Sequence, residues 1–99
     1  MSHKHKLYVL IDPKLSEKQR AVQAGHAIAQ ILIDNPDLPW RNHTLVYLGC
    51  DRAEMKEIWE QNPFPKAWRA EFREPFYQNR QTAIAYHGED VSFPHLNLI

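Results

Sequence analysis

Apolar residues along this chain recur first without a break, then at a spacing of 3.6, then at a spacing of two. The order predicted from these changes is strand, helix, strand, helix, strand, strand. Leu7, Tyr8, Val9, Leu10 and Ile11 form a continuous apolar run, the pattern of a central strand covered on both faces, so Lys6 to Ile11 is the first strand. Asp12-Pro13 ends it. From Ser16 to Asn35 the period becomes helical. Ala21, Ala24, Ile28, Ile31 and Leu32 form an apolar stripe, and Gln19, Gln23, His26 and Gln30 form a polar stripe expected on the opposite face. Ser16 and Gln19 have the capping-box spacing, and Asn35-Pro36 supplies the stop.

Pro36 to His43 is a proline-interrupted connection in which Trp40 is expected to pack over the helix end. Thr44 to Leu48 is β-branched and aromatic and reads as the second strand. Asp51, with Glu54 in the capping-box position, opens a second helix whose buried face is Met55, Ile58 and Trp59. Asn62-Pro63-Phe64-Pro65 is a turn. Trp68, Ala70 and Phe72 alternate with Arg69, Glu71 and Arg73, so Ala67 to Arg73 is a strand with one buried and one wet face. Pro75 to Asn79 is a loop. Gln81 to Tyr86 is a fourth strand, antiparallel to the third. All of this belongs to one domain, 1–99, with residues 1–6 as a flexible arm and 91–99 as a docked tail.

The first helix departs from an ordinary surface helix. Between Ala21 and Ile33 it has no Asp, Glu, Lys or Arg, and its small residues include Gly25, which costs about 1 kcal/mol against Ala inside a helix. A close backbone approach at Gly25 and enclosure on most sides are the expected compensation. The row of neutral hydrogen-bonding groups then reads as the wall of a site. The plainer alternative is a solvated face.

The segment Ala21 to Ala27, A-V-Q-A-G-H-A, resembles the A-A-Q-x-x-H-A core of the type II peptidyl-tRNA hydrolase family, which lies on the first helix just after the first strand. The resemblance implies a three-layer α/β/α sandwich with a four-stranded mixed sheet. It also implies hydrolysis of the ester joining a peptide to the 3′ end of tRNA. Glu74 and Thr82 match the places of the family's acidic loop residue and of a threonine before its last strand. The chain departs from the family pattern at Glu74, where the family has Asp, at E-P-F in place of D-A-G, and at Gln19, where the family has lysine. These departures bear on the chemistry more than on the fold.

The candidate catalytic residues are therefore His26, Gln23, Glu74 and Thr82. An imidazole takes and gives protons near neutral pH, so His26 suits a general base; the alternative is a helix histidine bonded to a backbone carbonyl. Glu74 suits orientation of that ring or of water, or else pairs with Arg73 or Arg80. Gln23 and Gln19 suit a carbonyl or ribose hydroxyl, although Gln19 is also the capping partner of Ser16. Thr82 suits donation to a substrate oxygen, or is simply a strand threonine. Lys14 and Lys18 sit beside a helix N-terminus, where a phosphate docks well. Arg73 and Arg80 flank the loop as phosphate contacts, with Phe76 and Tyr77 to stack on a terminal base.

Charge narrows the partners. The 99 residues carry 12 Lys and Arg against 12 Asp and Glu, so only a local patch can draw in the tRNA 3′ end. The single cysteine, Cys50, excludes an internal disulfide and fits a cytoplasmic setting. Neither a signal peptide nor a membrane span is expected, nor a cofactor or metal site, and the apolar tail leaves room for a homodimer. The competing functional readings are a non-catalytic RNA- or protein-binding module with the same fold, and a hydrolase of another small acyl or nucleotide substrate.

Overall fold

The computed structural model describes residues 6–99, so the expected arm, with His3 and His5, lies outside the described residues up to Lys6. The elements are β1 (Lys6–Ile11), α1 (Glu17–Asp34), β2 (Thr44–Gly49), α2 (Arg52–Gln61), β3 (Trp68–Glu74), a short 3-10 turn (Pro75–Tyr77) and β4 (Arg80–His87). They form an α/β fold around one four-stranded mixed sheet of order β2-β1-β4-β3. β1 runs parallel to β2 and antiparallel to β4, and β3 is antiparallel to β4. Parallel β1 and β2 need a crossover, which α1 supplies.

Period-two alternation sorts the core into two halves. Leu7, Val9, Ile11, Ala83 and Ala85 meet Ala24, Ala27 and Ile31 of α1 on one face. Tyr8, Leu10, Ile84 and Tyr86 meet Met55 of α2, together with Val91 and Phe93, on the other. The alanines at 70, 83 and 85 let α1 lie close to β3 and β4, its main neighbours. Tyr86 is sealed on the α2 side, where burial holds its phenol above the ordinary tyrosine range, with Arg69 acting against that shift.

Local signals set the helix ends. Ser16 Oγ accepts from the Gln19 amide at 3.2 Å, while the Asn35 amide and side chain both bond the Ile31 carbonyl. Asp51 accepts from the Glu54 amide at 2.9 Å, and Asn62, in the left-handed region, closes α2. Trp40 is half-buried against the α1-side core and donates to the Thr44 carbonyl. The tail is docked: Val91 and Phe93 are buried, and an antiparallel bridge from Leu98 to Leu48 covers the free edge of β2.

Two expectations for α1 are corrected. A Cβ added at Gly25 meets nothing within 4 Å, so no backbone approaches there; the outer arc of the helix is open, with Val22 and Ile33 exposed. The polar stripe is not opposite the buried face either. Gln23 is fully buried. At about 100° per residue it lies about 40° round the helix from Ala27, on the shoulder that turns toward β3 and β4.

Among the described residues no helix is long and apolar enough to cross a membrane.

Candidate functional site

Parallel pairing of β1 and β2 brings both carboxyl ends to one edge of the sheet, each followed by a helix N-terminus. Antiparallel β4 begins at that same edge. The Cys50 amide bonds the Ile11 carbonyl at 2.9 Å, and the Asp12 amide bonds the Thr82 carbonyl at 3.3 Å, which tie the three chain segments together. Ligand sites of α/β sheets collect at such an edge.

A hollow of about 430 Å³ opens there, lined by Asp12, Lys14, Leu15, Ser16, Gln19, Arg52, Tyr77, Arg80 and Thr82. Asp12, 5% exposed, is turned inward, where its Oδ1 accepts from the Lys14 amide at 3.0 Å. Lys14, Arg52 and Arg80 outnumber that single carboxylate on the lining, and none of the three is in an ion pair among the described residues. With the N-terminus of α1 at the wall, the hollow attracts anions.

Behind it runs a buried polar chain. Thr82 Oγ donates to Gln23 Oε1 at 2.6 Å, and Gln23 Nε2 donates to Glu74 Oε1 at 2.8 Å and, more weakly, to Gln19 Oε1 at 3.4 Å. A carboxylate only accepts, so the amide nitrogen must face Glu74 and the amide oxygen must face Thr82. The Thr82 proton is therefore committed to Gln23. Thr82 offers the hollow lone pairs, to accept from water or a hydroxyl, rather than the donor expected for a substrate oxygen.

A break in sheet register makes this contact possible. Phe72 pairs with Ala83 but Arg73 pairs with Gln81, which leaves Thr82 as an extra residue. Strict alternation would send Thr82 to the α2 face with Ile84. The bulge re-aims it toward α1, as bulges beside sites commonly do. The reversal that follows β3 uses left-handed backbone at Gln78 and Asn79, with φ of 57° and 60°.

Glu74 is 8% exposed. It pairs with neither Arg73 nor Arg80 among the described residues; its bond is to Gln23. Among the described residues its Oε2 has no partner, and it is not among the sealed, unpartnered polar atoms, so solvent reaches it.

The expected residues fall in three places. Lys14, Gln19, Tyr77, Arg80 and Thr82 line the hollow, and Gln23 and Glu74 form the chain behind it. His26, Lys18, Arg73 and Phe76 are outside the lining. His26 is exposed and stacks on Phe72 at 4.4 Å between ring centroids and 8° between planes, without a hydrogen bond to Glu74. The orientation of the His26 ring by Glu74, one of the roles expected for that carboxylate, is thus not what the structure shows. Three residues beyond Gln23, the helix has turned His26 about 60° away, over Phe72 of β3. Arg73 is taken by Glu71 at 3.2 Å, and Phe76 is 92% exposed.

No family model and no curated protein matches this chain. The geometry is therefore the main guide to its chemistry.

Arg52 was not anticipated, nor was Asp12 as a lining group. The available signal was positional: Asp12 directly follows β1, and Arg52 opens the helix three residues after β2, at the same edge. Cys50, 2% exposed near that edge, is packed away from the hollow's lining. Burial first, then Glu54, Asp51 and Asp12, push its thiol up to about 12. Among the described residues no group of three His, Cys, Asp or Glu side chains is placed to hold a metal ion.

Proposed function

We propose that this chain is a peptidyl-tRNA hydrolase-like esterase that acts in the cytoplasm on the 3′ end of tRNA. The observation that carries the reading is the buried Thr82–Gln23–Glu74 chain abutting a hollow lined by Lys14, Arg52 and Arg80. The A-V-Q-A-G-H-A resemblance supports it, because Gln23 is the motif's glutamine. In this reading Lys14, Arg52 and Arg80 hold the terminal phosphates, and Tyr77 stacks on the last base. Thr82 accepts a hydrogen bond from the attacking water or the terminal ribose hydroxyl. Water oxygen bonds to the ester carbonyl carbon, and its proton passes through one bridging water to Glu74 Oε2, because Glu74 stands behind the lining. The ester bond to the ribose oxygen then breaks, and that oxygen receives the proton.

One observation favours a second reading. His26 stands outside the hollow, which leaves the imidazole of the motif without a proton to move and suits a module that binds RNA ends without cleaving them. An assay with N-acetylated aminoacyl-tRNA separates the two. The esterase reading expects release of free tRNA by wild type and a loss of at least about 100-fold in Glu74→Gln, the usual span of a general base. Tight, salt-sensitive tRNA binding with no release by wild type would select the second reading.

A further inference from the structure

The opposite end of the sheet holds a larger cavity, about 580 Å³, within the ~300–1,000 Å³ range of small-molecule pockets. It lies between the connection after α1 and the turn after α2, with walls that include Pro39, Pro63, Phe64, Pro65 and Trp68. Prolines and aromatic rings present flat apolar faces with few rotamers to lose, which suit a flat ring.

At this apolar site stands one buried polar group. His87 lines the cavity and is 1% exposed. Its Nδ1 lies 2.8 Å from the Lys6 carbonyl oxygen. A carbonyl only accepts, so Nδ1 carries the hydrogen, and in the neutral ring Nε2 is an acceptor. Among the described residues Nε2 has no hydrogen-bond partner, and it is not one of the polar atoms sealed from solvent. His87 lines the cavity, and Nε2 is the ring atom left to meet a ligand there. Trp68, the cross-strand partner of His87, sets its ring 6.0 Å away. The polar part of the lining adds Glu89 and Asp90 against Lys66 alone, and no ion pair joins them among the described residues.

We propose that this cavity binds a small aromatic cation: a flat ring with an N–H that donates to His87 Nε2 and an amine that meets Glu89 and Asp90. The site is independent of the hollow and of the esterase reading.

Three probes share one ring and differ in charge: tryptamine, indole and indole-3-acetate. Titration of the whole protein, followed by NMR of the tryptophan indole N–H signals, is expected to give saturable one-to-one binding of tryptamine with the Trp68 signal shifted. Tryptamine should bind at least about tenfold tighter than indole-3-acetate. His87→Asn keeps an amide N–H for the Lys6 carbonyl and deletes the Nε2 acceptor, so tryptamine should weaken about tenfold. Glu89→Gln with Asp90→Asn changes only exposed side chains and should erase the preference for tryptamine over indole-3-acetate. The proposal is overturned if tryptamine does not saturate by millimolar concentration, if it shifts no Trp68 signal, or if charge-neutralised and wild-type proteins rank the probes alike.

Discussion

The two ends of the sheet are built on opposite principles. At the carboxyl end of β1 the polar groups bond one another in series: Thr82 to Gln23, Gln23 to Glu74. At the amino end a single buried polar ring, His87, has one bond to backbone and one open atom in an apolar cavity. A serial network is rigid and intolerant, because each member leaves its neighbours unpaired when removed. A lone acceptor beside apolar walls contributes little until a ligand arrives. The hollow therefore couples stability to chemistry, while the cavity is free to bind without that coupling.

The largest expected effect breaks the network at its middle. Gln23→Leu leaves a nearly buried carboxylate and a buried hydroxyl without their partner, at about 1–3 kcal/mol for each unsatisfied group. A loss of about 3 kcal/mol in urea unfolding is expected. The comparison predicts less than 1 kcal/mol for His87→Asn at the other end, where the backbone bond survives. Equal losses would show that the two ends are not different in kind.

A second test uses pH at the hollow end. The Cys50 thiol is raised from 9.0 to about 12 by burial and by nearby carboxylates. The folded state therefore holds this proton after the unfolded chain has released it, and stability falls as pH rises from about 9 toward 12. The slope from one proton is at most about 1.4 kcal/mol per pH unit. Subtracting the alkaline stability curve of Cys50→Ala from that of wild type isolates it. Parallel curves would refute the burial account.

The sequence pattern located what depends on neighbours along the chain. Ser16, Asn35 and Asp51 bounded their helices because caps act within one turn. The continuous apolar run of β1 announced a strand covered on both sides. What depends on strand order was not legible. Gln23 belongs to a stripe that reads as the wall of a site or as a solvated face, and only the lean of α1 over β3 and β4 decides that it is buried. Thr82 obeys the strand alternation until the bulge turns it, and nothing in Q-T-A-I-A marks a bulge. Pro39 reads as part of a connection and Pro63 and Pro65 as a local turn, and only the fold gathers them into one cavity.

A smaller effect separates the ends by charge. If the hollow holds phosphates, Arg52→Ala and Arg80→Ala each remove one contact. The slope of log affinity for tRNA against log salt should then fall by about 0.7 to 0.9 per variant. Lys66→Ala, on the apolar cavity, should leave that slope unchanged. A slope that responds to Lys66 as strongly as to Arg52 would move the RNA to the wrong end of the molecule.

The smallest effect is the most diagnostic for the motif histidine. His26 is exposed and has Phe72 as its stacking partner. Aromatic pairs contribute about 0.5–1.5 kcal/mol, and an exposed pair belongs at the low end. His26→Ala should therefore cost about 0.5 kcal/mol. His26→Phe, which keeps the ring, should recover most of it. Neither change touches the chain from Thr82 to Glu74, so any tRNA ester hydrolysis should persist in both. Activity lost in both variants with stability intact would mean that the imidazole reaches the reaction, and that α1 must shift along β3 when substrate binds. Activity kept in Phe but lost in Ala would mean that the ring only steadies Phe72, two residues before Glu74 on the same strand.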